Sequence, residues 1–331
     1  FIAYIGVKNG HILNFIVEGY DVVTQNVADG KVVEVVSKNV IPTIVNFKDP
    51  VSLVTLFGLL VTVVLMLLRV RGAILIGIVL ATLFGAIPFI NVTQLPTITA
   101  ASFRIPSLMP TLFKLDITGL FTAHGDFLAI IATVFAFSLS DTFDTIGTFL
   151  GTGRKAGIFD AKDEKALETG KGFSSRLDKA LFADATATSM GALLGTSNVT
   201  TYVESASGIS VGGRTGLTSV FVAVFFLLCL FFSPFALMVP AAATAPALIV
   251  VGILMMSSIS KIHWDDFTIA APAFFTAVIM PFTYSIANGV AVGFIFHVLM
   301  MIVTGKGKKV HVLMYIVTAL FVANFIYNAF H

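Results

Sequence analysis

The sequence predicts an all-α polytopic protein, one that crosses a lipid bilayer several times. Hydrophobic residues make up 57% of the 331 residues and charged residues only 11%, and the mean hydropathy is +0.97. An ordinary soluble domain carries about 25% charged residues, because its surface has to meet water. A bilayer-spanning helix needs roughly 20 mainly apolar residues, and several segments of this chain satisfy that length. Composition and segment length therefore select the membrane class.

The candidate spans follow one another along most of the chain. In chain order they are 51–68, 72–90, 126–150, 180–197, 217–235, 237–257, 267–283, 285–304 and 310–330. An earlier apolar stretch, 1–17, is interrupted by Lys8, Asn9 and Gly10, so it is expected to be the tail of a span. The last segment is either a span or a helix that lies in the interface, and the sequence leaves both open.

The loops between these segments differ in character. Residues 18–50 contain β-favouring runs such as Lys31–Val36 between glycine and asparagine turn signals. Residues 91–125 are rich in proline, threonine and serine and carry few charges, whereas residues 151–179 carry most of the charge.

Lysine and arginine residues in short loops predict the orientation of a membrane protein. They are concentrated in the loop 151–179 and in the turns that contain Arg69, Arg71, Arg214, Lys261, Lys306, Lys308 and Lys309. With alternating spans, all of these basic turns lie on one side of the bilayer. That side is predicted to be cytoplasmic, and the loops 18–50 and 91–125 are predicted to face the opposite side.

Several other function classes find little support in the sequence. The formal net charge of +2 lacks the basic excess that is typical of nucleic-acid binders. A single cysteine, Cys229, excludes an intrachain disulfide and a cysteine metal cluster, and the six histidines have no metal-ligand spacing. The glycine-rich run Gly151–Gly157 follows a membrane span rather than a β-strand, which argues against a phosphate-binding loop. We expect no metal and no cofactor.

Two aspartates stand inside the candidate span 126–150. Asp141 and Asp144 are three residues apart, so a helix places them on one face. Charges at the bilayer centre are costly, and those present are usually functional or paired within the bundle. Two neighbouring carboxylates in a low-dielectric site resist double ionisation. The pair is therefore predicted to bind and release a proton, although either aspartate alternatively caps a helix end or pairs with a basic residue.

A polar break separates the apolar stretches on either side of Glu204. The β-branched run Val199–Thr201 disfavours a helix, and Ser207, Gly208 and Gly212 limit the helix that follows. This pattern predicts an extended segment that leads into a half-helix with Glu204 near its start. Irregular backbone at membrane depth is tolerated only where it is buried in protein or lines a cavity, and a broken span points to a transporter site. The alternative is an ordinary loop outside the membrane, with Glu204 as a solvated cap.

A third acidic position, Asp184, lies near the cytoplasmic start of the candidate span 180–197. We interpret it as a helix-terminal carboxylate that meets the positive end of the helix dipole. Small residues dominate 183–197, and they allow close approach between helices.

Several long motifs appear in a fixed order along the chain. They are DTFDTIGT at 141–148, LFADAT at 181–186, GTSNVTTYVESASG at 195–208, GGRTGLT at 212–218, PAAATAP at 240–246 and MPFTYSIA at 280–287. This series closely resembles the adenine/guanine/hypoxanthine permeases, the azaguanine-resistance-like branch of the nucleobase–cation symporter-2 (xanthine/uracil permease) family. The resemblance extends over the whole chain from Phe1.

The resemblance implies a fold of two inverted repeats of seven helices, with a core (transport) domain and a gate domain. Each repeat carries a broken helix with a short strand. By similarity, residues 1–125 form gate helices and extracytoplasmic loops of the first repeat, residues 126–235 form half of the core, and residues 236–331 form gate helices of the second repeat. Relatives have further helices before the position of Phe1, so the chain is expected to be N-terminally truncated.

The resemblance also assigns roles to individual residues. The eighth-helix acid of the family matches Asp144 best, because Ile146 and Gly147 follow it, although alignment on Asp141 stays open. The tenth-helix acid matches Glu204. The implied substrate-binding residues are Asp144, Glu204, Val203, Thr201 and Ser205, and the implied proton-coupling residues are Asp141, Asp144 and Glu204.

The function that the resemblance implies is import of purine nucleobases by proton symport, with no enzymatic activity. The protein would be a multi-pass protein of the plasma membrane whose partners are a purine, a proton and lipid. Sequence does not choose among guanine, hypoxanthine and adenine, between proton and sodium, or between a monomer and a homodimer. The alternatives are an anion carrier of the same architecture, a membrane-embedded hydrolase, and a truncated remnant that does not transport.

Overall fold

The structure, a computed structural model, describes residues 1–18, 21–22, 35–36, 39–45, 47–94, 107–124, 127–160, 163 and 175–330. Most of these residues are helical. The α-helices are α1 (Ile2–Asn9), α2 (Pro50–Leu67), α3 (Ala73–Gly85), α4 (Ile117–His124), α5 (Phe127–Ala156), α6 (Arg176–Leu194), α7 (Ser205–Ser210), α8 (Gly216–Phe231), α9 (Ser233–Ala236), α10 (Ala241–Met255), α11 (Phe267–Phe282), α12 (Ile286–Val303) and α13 (Val312–Phe330). Short 3₁₀ turns follow α10 at Met256–Lys261 and α12 at Gly307–Lys309.

The N-terminal apolar stretch is a helix followed by a strand. The helix ends where the sequence is interrupted, because α1 stops at Asn9 and His11 adopts a left-handed conformation with φ of 52°. That α1 is the tail of a span stays a prediction. Strand β1 (Leu13–Glu18) then pairs antiparallel with β4 (Asn39–Ile44), and β2 (Asp21–Val22) pairs with β3 (Val35–Val36). The predicted β-run thus contributes β3, while its residues 31–34 lie outside the described part of the chain.

The chain divides into two compact units, and residues 2–104 with 228–250 form one of them. Its helix α2 begins at Asp49, whose carboxylate accepts a hydrogen bond from the Ser52 N–H at 3.2 Å, and Pro50 occupies the first turn. The hydrophobic core of this unit contains Val54, Ala81, Ile90, Ala242 and Ala243. These small and β-branched residues let the helices approach closely, as is common in membrane bundles.

Residues 105–227 and 251–331 form the second unit, together with Phe1. Aromatic rings join its helices. Phe275 of α11 stacks on Phe296 of α12 at 4.0 Å between ring centroids, and Phe143 of α5 meets Phe294 of α12 edge-on at 5.1 Å. Phe321 of α13 packs near Phe294, at 6.3 Å, so α13 belongs to the same bundle. The long helix α5 is thereby held against α12.

Three helical segments are long and apolar enough to cross a membrane, namely Pro50–Leu67, Ala241–Lys261 and Ile286–Val303. Shorter apolar helices are Ala73–Gly85, Gly216–Phe231 and Phe267–Phe282, with Val312–Ile326 at the C-terminal end. Helix α8 has no buried residue although it is almost wholly apolar, which a water-soluble surface would not tolerate. The helices therefore fit a membrane protein, and their bounds follow the predicted spans closely.

Candidate solute-binding site

Helix α5 carries the two aspartates that the sequence singled out. Asp141 and Asp144 are both partly buried on this helix, one turn apart as predicted. The carboxylates of Asp141, Asp184 and Glu204 all lie within electrostatic range of Asp144. Acids from α5, from α6 and from the start of α7 therefore converge, although they are far apart in the sequence.

Asp184 lies in the middle of α6 and connects two other elements. It accepts a hydrogen bond from the Thr145 hydroxyl of α5 at 2.9 Å and another from the Thr201 hydroxyl at 2.7 Å. The interpretation of Asp184 as a helix-terminal carboxylate is wrong, because α6 begins earlier, at a capping box formed by Ser175 and Asp178. Asp184 is thus a central residue of the site, held between two threonines.

An irregular segment, residues 196–202, separates α6 from α7, and we call it the broken segment. Gly195 ends α6 in the left-handed conformation, with φ of 78°, and its N–H donates to the Ala192 carbonyl oxygen. Residues 196–202 have no regular secondary structure, and α7 then runs for only six residues, Ser205–Ser210. The predicted extended segment followed by a short helix is confirmed, and its place inside a membrane span stays a prediction. The short strand that the resemblance implies is absent from this segment, since no described strand pairs with it.

Glu204 stands immediately before α7, as predicted. Its side chain makes no capping hydrogen bond to the helix and is exposed. Glu204 occupies the N-cap position of α7, so the alternative of a loop outside the membrane with Glu204 as a solvated cap stays open. Its carboxylate is available to a solute or a proton rather than consumed by its own backbone.

Asn198 holds the broken segment against both long helices. Its side-chain amide donates a hydrogen bond to Asp141 of α5, and its carbonyl oxygen lies 3.1 Å from the Thr188 hydroxyl of α6. The same hydroxyl lies 2.6 Å from the Val199 carbonyl oxygen. Further along the segment, Tyr202 stacks against Phe226 of α8 at 6.1 Å. The segment is therefore tied to three helices.

Two cavities adjoin Asp184. One of about 330 Å³ is lined by Phe149, Ala180, Ala183, Asp184, Ala187, Val199, Thr200 and Thr201. The other, of about 410 Å³, is lined by Asp141, Thr142, Thr145, Asp178, Leu181, Phe182, Asp184 and Ala185. Both volumes fall in the range of small-molecule sites. None of these lining side chains is basic, and the buried Thr200 hydroxyl, which has no hydrogen-bond partner among the described residues, borders the first cavity.

The remaining predicted binding residues lie around the start of α7. Val203 is buried, and its carbonyl oxygen accepts from the Ala206 N–H at 3.0 Å, whereas Ser205 is exposed. The hydroxyl of Thr201 is already committed to Asp184. Sequence reasoning did not select Thr145 or Thr188, since a threonine on a helix can bond the backbone of its own helix instead of a partner. It did not select Asn198 either, because the partners of a residue in an irregular segment depend on the tertiary structure.

Comparison of the sequence with known proteins shows which family the chain belongs to. The model of the permease family that covers the xanthine/uracil permeases matches residues 22–292. This chain belongs to that family. Membership places the permease among transporters rather than enzymes, and the hydrolase alternative is therefore wrong.

Relatives whose names state a substrate support membership of the same family. The chain is 39% identical over 287 residues to the guanine/hypoxanthine permease PbuG of Bacillus subtilis. The aligned region covers 86% of this chain and 61% of PbuG. The chain is 39% identical over 273 residues to the adenine permease AdeQ of Escherichia coli, covering 81% of this chain and 56% of that protein. A permease-named protein of Methanocaldococcus jannaschii is 42% identical over 328 residues, or 99% of this chain and 66% of that protein. The chain thus spans less than two thirds of the length of these relatives.

Proposed function

We propose that the protein imports purine nucleobases, namely guanine, hypoxanthine or adenine, by proton symport across the plasma membrane. The observation that carries the proposal is the convergence of Asp144, Asp184 and Glu204 beside a broken span. Relatives named as guanine/hypoxanthine and adenine permeases support the class of substrate. Together, the acids and the relatives favour a solute that donates hydrogen bonds.

Purine recognition would rest on the carboxylates. Ring and exocyclic N–H groups of a purine donate hydrogen bonds, and Asp144 and Glu204 offer acceptor oxygens that no described residue occupies. Thr201, Val203 and Ser205 would shape the pocket at the start of α7. Buried hydrogen bonds of this kind discriminate strongly, since a solute without the donor leaves the acceptors unpaired.

Proton coupling would use the same acids. Asp141, Asp144 and Glu204 repel one another when all are ionised, so taking up one proton relieves the repulsion. Protonation of one acid would favour purine binding while the remaining carboxylates stay available as acceptors. Release of both on the cytoplasmic side would restore the repulsion and reset the transporter.

The proposed architecture is two inverted repeats of seven helices that form a core and a gate domain. Residues 126–235 would supply half of the core, and residues 1–125 and 236–331 would supply gate helices and loops. Rocking of the core against the gate would expose the site to each side in turn. Within the multi-pass protein, lipid would cover the apolar face of α8, and the proposal holds for a monomer as well as a homodimer.

The test is uptake of radiolabelled guanine, hypoxanthine and adenine by cells that lack purine transport. Both this chain and the longest reading frame that contains it are expressed, with and without a proton uncoupler. We expect uptake that the uncoupler abolishes, and we expect Asp144→Asn and Glu204→Gln each to remove it while Asp265→Asn, at an exposed position outside the site, does not. No uptake by either version, with both present in the membrane, contradicts the substrate. Uptake that persists with the uncoupler but requires sodium contradicts proton coupling.

A further inference from the structure

We propose that Thr200 is a specificity-determining residue whose hydroxyl group donates a hydrogen bond to an acceptor atom of the purine. Thr200 borders the cavity of about 330 Å³, and its hydroxyl oxygen is buried without a hydrogen-bond partner among the described residues. A buried polar group that stays unpaired is unfavourable, because it has lost its hydrogen bonds to water. A solute that pairs this hydroxyl therefore binds more tightly. The inference rests on the proposed function.

The other threonine hydroxyls that line the two cavities already donate within the protein. Those of Thr145 and Thr201 donate to Asp184 at 2.9 and 2.7 Å, and that of Thr142 donates to a backbone carbonyl oxygen of its own helix at 2.8 Å. Each hydroxyl has a single proton to donate. Thr200 is thus the lining threonine whose hydroxyl proton no described residue accepts.

A purine offers acceptors as well as donors to its site. The carboxylates of Asp144 and Glu204 match its N–H groups, since carboxylate oxygens accept hydrogen bonds. Its ring nitrogens without hydrogen, and the carbonyl oxygen of guanine or hypoxanthine, are themselves acceptors and require a donor. None of the side chains that line the two cavities is basic. The hydroxyl of Thr200 supplies such a donor, and a solute without the matching acceptor would leave it unpaired.

The chain on both sides of Thr200 is held against α6. The Val199 carbonyl oxygen accepts a hydrogen bond from the Thr188 hydroxyl at 2.6 Å, and the next hydroxyl, of Thr201, is fastened to Asp184. A turn of about 120° around the Cα–Cβ bond of a threonine exchanges the hydroxyl with another substituent of Cβ. The Thr200 hydroxyl can therefore turn to a solute in the cavity while the broken segment stays in place.

The cavity also has apolar walls. Phe149 of α5 and Ala183 and Ala187 of α6 line it together with Asp184 and Thr200. Apolar walls with a few polar groups are typical of sites for small organic molecules, because the polar groups fix the orientation. The walls suit the faces of a flat ring, and the polar groups suit its edge. Thr200 would then select among rings of similar shape by the acceptors on their edges.

Equilibrium binding of hypoxanthine to the purified full-length protein tests the inference. Thr200→Val keeps the shape of the side chain without its hydroxyl, and it should weaken binding about tenfold, the effect of one hydrogen bond. Thr200→Ser keeps the hydroxyl and should bind as tightly as the wild type. Thr196→Val is the matched control in the same segment and should leave binding unchanged. Its hydroxyl donates to the Ser197 carbonyl oxygen at 2.9 Å, and it borders neither cavity.

Analogues that each lack one acceptor locate the contact. Relative to hypoxanthine, 3-deazahypoxanthine and 7-deazahypoxanthine each lack one ring nitrogen, and unsubstituted purine lacks the carbonyl oxygen. For one of these analogues the loss caused by Thr200→Val should disappear, because the hydroxyl has no acceptor left to bind. An equal loss for hypoxanthine and all three analogues would overturn the inference.

Thermal unfolding separates this role from a merely structural one. Because the Thr200 hydroxyl bonds no described residue, Thr200→Val should unfold at the wild-type temperature or above it. A marked loss of stability would show that the protein itself needs the hydroxyl, and it would overturn the inference. Unchanged hypoxanthine binding by a folded Thr200→Val would overturn it as well, with the proposed function intact. If the wild type binds no purine, the proposed function fails and the inference fails with it.

Discussion

The hydroxyl group of Thr201 donates a hydrogen bond of 2.7 Å to Asp184, so the broken segment before α7 is fastened to the middle of α6. Asp184 accepts a second hydrogen bond from the buried Thr145 of α5. One carboxylate therefore sets the spacing of three elements that surround the candidate site.

Replacing Thr201 by valine should loosen the broken segment. The substitution keeps the shape but leaves an acceptor oxygen of Asp184 without its donor, so we expect a loss of about 1–3 kcal/mol in the free energy of unfolding. We also expect weaker purine binding, and Thr201→Ser should restore both. Thr186→Val is the control, because the Thr186 hydroxyl donates to the Phe182 carbonyl oxygen of its own helix. Equal effects at Thr201 and Thr186 would contradict a fastening role. Thermal unfolding and equilibrium binding are the measurements.

Gly191→Ala should displace the segment from α6. An added Cβ atom would stand 2.5 Å from Val199 Cγ2 and 2.9 Å from Thr196 Oγ1, which forces the segment outward. Overpacking of this kind costs about 1–3 kcal/mol of stability. At Gly147 of α5 no described residue lies within 4 Å of an added Cβ atom, so Gly147→Ala should not destabilise the protein and should favour the helix by about 0.5–1 kcal/mol. Unfolding measurements that rank the two variants in the reverse order would refute the packing argument.

Asp266 should stabilise the start of α11 in a pH-dependent way. Hydrogen bonds from the Thr268 side chain and backbone lower the pKa of Asp266. Because the folded pKa lies below the unfolded one, the stabilisation is present above the unfolded value of about 3.9 and is lost as the pH falls through the folded value. Asp266→Ala should therefore lower the melting temperature at pH 7, and the difference from the wild type should shrink as the pH is lowered below about 3.9. Asp265→Ala, at the exposed preceding residue, should have little effect at any of these pH values.

The basic turns should lie on the cytoplasmic side. With Cys229 replaced by alanine, a new cysteine at exposed Lys308 should react with an impermeant maleimide in inside-out vesicles. A cysteine at Lys114, in the loop 91–125, should react only in right-side-out vesicles. The same accessibility at both positions would contradict the orientation that the positive charges predict.

The sequence by itself determined where the helices are and where one of them breaks. Hydropathy and length are local properties, so the predicted segment 51–68 became α2 at Pro50–Leu67 and 285–304 became α12 at Ile286–Val303. The β-branched run Val199–Thr201, with Gly208 and Gly212 after it, likewise predicted an irregular segment and the short helix α7. The one-turn spacing of Asp141 and Asp144 follows from the helical period alone.

Only the tertiary structure decided which polar groups meet. Asp184 contacts Thr145 across 39 positions and Thr201 across 17, and Asn198 contacts Asp141 across 57. Such pairings depend on how helices rotate and approach one another, which the apolar pattern of a span does not specify, because an almost wholly apolar helix has no distinct inner face. Asp184 was therefore assigned to a helix end, although packing makes it the residue that joins α5, α6 and the broken segment.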